Sequence, residues 1–117
     1  MNTLADWERY IETLAQPNHI ELGLERVGQV WNSLTQVAPK QVITVAGTNG
    51  KGSTVEVAGV LANAQGLTYG QYTSPHIHAI QERIRVNGTQ ASDHELIKAF
   101  EMVESARGPI FLTYFEF

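Results

Sequence analysis

Leu4, Trp7, Ile11 and Leu14 recur at the spacing that lines one face of an α-helix, with Thr3 placed to cap it and Asp6 three residues on. Pro17 and Asn18 close that segment. Leu24, Val27, Val30, Trp31 and Leu34 repeat the pattern and end before Pro39, so the stretch from Pro17 to Gly23 reads as a loop. Each tryptophan falls on its helix's apolar stripe, which predicts two core anchors rather than stacking platforms.

From residue 41 the pattern changes. Gln41–Val45 is a β-branched run suited to a buried parallel strand, Ser53–Ala64 a small-residue helix, and Gly66 its C-terminal cap. Leu67–Tyr72 and Glu82–Val86 predict two further strands, the second stopped by the turn pair Asn87-Gly88. Ser92 with Glu95 forms a capping box that opens a helix through Leu96, Phe100 and Val103 towards Gly108. Ile110–Phe115 is the most strand-like run of all. Strands alternating with helices predict an α/β fold, a mostly parallel sheet layered between helices, with ligands at the carboxyl ends of the strands. A bare apolar strand wants neighbours, so the chain is expected to be a piece of a larger domain; self-pairing through Phe115 and Phe117 is the other reading.

Size and charge narrow the functions. The 117 residues suffice for one core but are short for a nucleotide-dependent enzyme with its own second substrate site. A net charge of −4, without a basic stripe, argues against nucleic acid as a partner. The absence of cysteine excludes disulfides and thiolate zinc sites. A neutral N-terminus and no long apolar run predict a cytoplasmic protein with no membrane partner.

The chemistry concentrates in Ala46-Gly47-Thr48-Asn49-Gly50-Lys51-Gly52-Ser53-Thr54, between the first predicted strand and its helix. Glycines let backbone N–H groups converge on an anion, the helix start adds its positive dipole end, and Lys51 adds a mobile cation. The general phosphate loop places Ser or Thr directly after the lysine; here Gly52 stands there and Ser53 and Thr54 follow. A ligand-free glycine turn is the bland alternative. Thr73-Ser74-Pro75-His76 ends the next predicted strand, where Ser74 could face phosphate or Mg²⁺ or could simply be a turn residue. His76 and His78 lack a third ligand for zinc and read as loop histidines. Glu116, and more weakly Glu82, are the pattern's candidates for a magnesium carboxylate.

Five ordered blocks together resemble the amino-terminal part of the dihydrofolate synthase and folylpolyglutamate synthase family, relatives of the Mur cell-wall ligases. These are residues 20–27, 45–53, 72–76, 82–86 and 112–116. The resemblance accounts for the glycine after Lys51, which that family's loop also carries. It implies the Mur central-domain type of phosphate-loop fold, incomplete here, with residues 1–40 as a helical lead-in and 41–117 as the core. It implies that Asn49, Gly50, Lys51 and Gly52 hold ATP phosphates and that Ser74 ligates Mg²⁺; the loop's own pattern adds the hydroxyls of Ser53 and Thr54 and makes Lys51 the catalytic candidate. Glu21, Leu22 and Gly23 with Thr113, Tyr114, Phe115 and Glu116 would line the pterin site. Glu116 thereby moves from the metal to the folate side, and Phe115 would stack on the pterin, a sheet-core position being its other reading. The implied reaction joins L-glutamate to dihydropteroate or a folate tail through an acyl phosphate. The implied full-length enzyme is a monomer whose remaining parts bind glutamate, so that these residues alone would be inactive. A non-catalytic phosphate-loop module and a Mur-type peptidoglycan ligase are the rival readings.

Overall fold

The computed structural model describes residues 2–14, 23–34 and 38–117, so the helix-closing Pro17 and Asn18 lie outside the described residues. The chain divides into two compact units, one of residues 1–38 and 93–117 and the other of residues 39–92.

The first unit is helical. Helix α1 spans Leu4–Leu14 and buries Leu4, Trp7 and Ile11, the stripe its periodicity predicts. Its start is doubly tied: the Asp6 N–H donates to Thr3 Oγ1 at 3.1 Å, while Asp6 Oδ2 accepts the N–H groups of Asn2 and Thr3. Helix α2 spans Glu25–Ser33 and buries Val30. Trp31 does not anchor the core; it is half exposed, and Leu24 more so. Val30 and Trp31 are neighbours, about 100° apart around the helix, so a short helix that buries one turns the other aside.

Helix α4, spanning Asp93–Arg107, buries Leu96 and Phe100. Phe100 sits between the rings of Trp7 and Phe117, with centroids 6.0 and 5.9 Å away. Arg107 binds Glu104 at 2.7 Å, the Tyr10 hydroxyl at 3.0 Å and the Ile110 carbonyl at 3.1 Å, tying α1, α4 and the following segment. The strand expected over Ile110–Phe115 is not formed. Instead Thr113 and Glu116 cap each other and the Phe117 N–H closes one helical turn on the Thr113 carbonyl at 2.9 Å. A threonine three residues before a glutamate is a capping-box spacing, and that local bonding prevails over apolar strand propensity.

The second unit combines helix α3, Lys51–Ala64, with strands β1 Gly70–Tyr72, β2 Ile84–Val86 and β3 Thr89–Gln90. The sheet is antiparallel in the order β1-β2-β3, not parallel as expected. Asn87 and Gly88, with φ of 51° and 83°, make the tight turn that joins β2 to β3. The predicted strand over Gln41–Val45 has no hydrogen-bonded partner among the described residues, and Val42 and Ile43 are about 77% and 78% exposed. β-branching confers the propensity; only a neighbour makes a strand.

The other two predicted strands are shorter than expected. Leu67–Tyr69 precede β1 as an irregular lead-in: the Leu67 N–H turns back to the Ala62 carbonyl at 3.1 Å, and Tyr69 meets Asn87. Glu82 and Arg83 belong to a 3₁₀ turn, Ile80–Arg83, because the Glu82 carboxylate captures backbone amides upstream instead of extending the strand.

Candidate phosphate and metal site

Residues 47–50 bend the chain into the start of α3, which opens at Lys51, two residues before the predicted boundary. Gly50 occupies the cap position with φ of 76°, a left-handed conformation natural to glycine, and that twist swings the chain from the loop into the helix axis. The first helical hydrogen bond is the Thr54 N–H to the Gly50 carbonyl at 3.0 Å, so the amides of Lys51, Gly52 and Ser53 have no helical acceptor. Three such donors at the positive end of a 14-residue helix suit an anion. A Cβ built on Gly52 meets nothing within 4 Å, so a ligand can approach this backbone closely. The Lys51 ammonium folds back onto the Gly47 carbonyl and is held over the loop. Thr54 Oγ1 donates to the Gly50 carbonyl at 2.8 Å, bracing the turn, while Asn49 and Ser53 are exposed.

Ser74 follows β1, joined to Pro75 by a cis peptide bond. Gly52 and Ser74 line one cleft of about 680 Å³, which the sequence placed on separate motifs more than twenty residues apart. Thr73, Glu56 and Arg85 share the lining. Arg85 Nη1 donates to both Glu56 oxygens at 3.2 Å, an ion pair between β2 and α3. Gln71 donates to the Val55 carbonyl at 2.9 Å and lies against Gly59, the buried glycine by which α3 packs on the sheet. Arg85, Glu56 and Gln71 were missed by sequence reasoning. The signal available for Gln71 and Arg85 was alternation in short strands, and for Glu56 its helical position, each weak without knowing which faces of α3 and the sheet meet.

The two histidines are not a metal pair. His76 Nδ1 accepts a hydrogen bond from Arg83 Nε at 2.7 Å, which engages that nitrogen. Among the described residues no group of three histidine, aspartate or glutamate side chains is arranged to hold a metal. Glu82 lines the cleft, but its carboxylate accepts the N–H groups of Ile77, His78 and Ala79 at 3.1, 2.7 and 2.6 Å. Those amides, Ile77 foremost, lower its pKa to about 2. With three lone-pair directions committed, it is a loop anchor rather than a magnesium carboxylate.

Of the second set, Glu21 and Leu22 lie outside the described residues, and Gly23 precedes α2. Glu116 pairs with Arg26 at 2.9 Å and accepts the Thr113 N–H at 2.9 Å. Burial raises its pKa, but the Thr113 amide and the Arg26 guanidinium outweigh this and leave it lowered. Phe115 is 68% exposed on the same turn, so it is not a core phenylalanine.

No family model matches the sequence. The chain is 44% identical over 115 residues to a protein of Escherichia coli strain K12 named dihydrofolate synthase/folylpolyglutamate synthase, covering 97% of the chain and 27% of the relative. A crystal structure of the bifunctional folylpolyglutamate synthase/dihydrofolate synthase of Yersinia pestis, complexed with AMPPNP and Mn ion, superposes with a TM-score of 0.87 at 43% identity, over 99% of this chain and 28% of that one. Escherichia coli FolC in complex with DHPP and ADP gives 0.86 at 42% identity, over 98% and 28%. The chain thus spans about a quarter of the length of the relatives it matches.

Proposed function

Because the chain belongs to the dihydrofolate synthase/folylpolyglutamate synthase family, with its Mur-ligase type of α/β fold, we propose that it forms the nucleotide-gripping part of an ATP-dependent ligase. That ligase couples L-glutamate to a pterin carboxylate. The observation that supports this reading is the shared cleft: Gly52, in the first turn of α3, and Ser74, after β1, line one space.

Carboxylate and triphosphate are both anions, and a reaction between them needs their repulsion offset and their atoms aligned. The amides of Lys51, Gly52 and Ser53 would hold phosphate oxygens, with Asn49, Gly50 and Thr54 shaping the loop. Lys51, by exchanging the Gly47 carbonyl for phosphate, would bridge the outer phosphates. Ser74 would hold a divalent cation, whose chemistry when bound is to neutralise phosphate charge. The substrate carboxylate would take the γ-phosphoryl group as an acyl phosphate, and the glutamate amine would displace phosphate to leave an amide. Gly23, Thr113, Tyr114, Phe115 and Glu116, with Glu21 and Leu22, would line the pterin site. Phe115 would supply the stacking face and the Arg26–Glu116 pair the rigid edge. Residues 1–40 would serve as the lead-in and 41–117 as the core. Glutamate binding is assigned to parts of the relatives that the chain does not span.

Calorimetric titration of the chain with AMPPNP and Mn²⁺, and separately with dihydropteroate, tests the reading. Binding of both, with the pterin affinity lost in Phe115→Ala, supports a folate ligase. Nucleotide binding alone supports a phosphate-loop module, and preference for a uridine nucleotide conjugate over the pterin supports a peptidoglycan ligase. Binding of neither overturns the site.

A further inference from the structure

The segment Thr73–Ala79 has no regular secondary structure, yet it is fastened to the 3₁₀ turn on both sides of Ser74 and Pro75, at Thr73 and at residues 76–79. The Thr73 N–H donates to the Arg83 carbonyl at 2.9 Å, Arg83 Nε donates to His76 Nδ1 at 2.7 Å, and Glu82 accepts the three consecutive amides of Ile77, His78 and Ala79. Six of these residues, among them Thr73, Ser74 and His78, also line the cleft. A loop normally loses order in proportion to its unpaired backbone groups. Here one carboxylate satisfies three donors at once, and only an ionised acid has the lone pairs to do so without presenting a donor of its own.

We propose that Glu82 is a positioning residue for the nucleotide-bound divalent cation: by locking residues 77–79 it holds the loop in the one shape that presents the Ser74 hydroxyl to the cleft. The inference rests on the nucleotide-site reading above and adds a residue that does not itself touch the ligand. Glu82 is not the cation's own ligand, because its oxygens already face the amides. Preorganisation of this kind acts on metal affinity through the residue that is held.

The test compares the unsubstituted chain with Glu82→Ala, Glu82→Gln, Ser74→Ala and the double variant Ser74→Ala/Glu82→Ala. Each is titrated with AMPPNP, with and without Mn²⁺. The expected result is an unchanged metal-free affinity in Glu82→Ala, with the gain conferred by Mn²⁺ falling by about 10- to 100-fold. Ser74→Ala should lose the same gain, and the double variant no more than either alone. A carboxylate that only stabilises the fold would lower the thermal midpoint and leave the Mn²⁺ gain intact; that result overturns the proposal. Should Glu82→Ala fail to fold, Glu82→Gln and amide hydrogen exchange on the unsubstituted chain decide. Slow exchange at Ile77, His78 and Ala79 is expected, and exchange at the rate of an unstructured peptide overturns the lock. Absence of AMPPNP binding in the unsubstituted chain overturns the nucleotide-site reading, a result distinguishable from retention of the Mn²⁺ gain in Glu82→Ala.

Discussion

Lys51 and Glu82 are each paired to the main chain in opposite senses, and their behaviour under substitution separates a ligand group from a structural one. Lys51 is exposed and its ammonium donates to the Gly47 carbonyl, an exposed contact, so Lys51→Met should leave the thermal midpoint nearly unchanged. Its loss removes a charge-assisted donor worth about 1.5–3 kcal/mol to a phosphate, and AMPPNP affinity measured by calorimetry should fall accordingly. Glu82 has the reverse profile. Its pKa of about 2 lies below the ordinary glutamate value of about 4.3, so its contribution to stability is complete above that ordinary value. The contribution disappears as the pH falls towards 2. Thermal unfolding followed across that interval should show a decline in midpoint that is shallower in Glu82→Gln. The proposal of Lys51 as the phosphate residue came from its glycine neighbours, before its place at the start of α3 was seen. The role of Glu82 was not readable from the sequence, since a glutamate before Arg83-Ile84-Arg85 looks like strand polarity until its amide partners are seen.

At the scale of elements, the start of α3 depends on a single backbone conformation. Gly50→Ala meets no steric obstruction, but it forces a side chain into the left-handed region at a cost of about 1–2 kcal/mol. Chemical denaturation should report that loss, and nucleotide affinity should fall with it because the amides of residues 51–53 are aimed by this bend. Helix legibility was high here. The stripes of α1 and α4 and the cap at Thr3 follow from local bonding and periodicity, and so does the turn at Asn87-Gly88. Strand legibility was poor for a specific reason. Gln41–Val45 and Ile110–Phe115 carry the residues of strands, but a strand requires a second backbone at hydrogen-bonding distance, and neither has one among the described residues. In the second case the spacing of Thr113 and Glu116 already carried the competing signal.

For the molecule as a whole, the unit of residues 39–92 leaves Val42, Ile43, Val57, Val60 and Leu61 largely exposed, while its buried large side chains are few. Apolar surface of this kind favours association. Ile43→Lys should therefore change unfolding free energy by no more than about 0.5 kcal/mol. Light scattering over a concentration series should show less self-association than the unsubstituted chain; equal association would mean the exposed run is not the contact. The amino-acid order by itself determined the helices, the glycine-and-lysine bend and the family likeness, because each rests on neighbours within a few positions. Tertiary structure alone decided that Gly52 and Ser74 share a cleft, that Trp31 faces out while Trp7 faces in, and that the sheet runs antiparallel. Those outcomes depend on which surfaces meet across long stretches of chain, and no local pattern encodes a meeting.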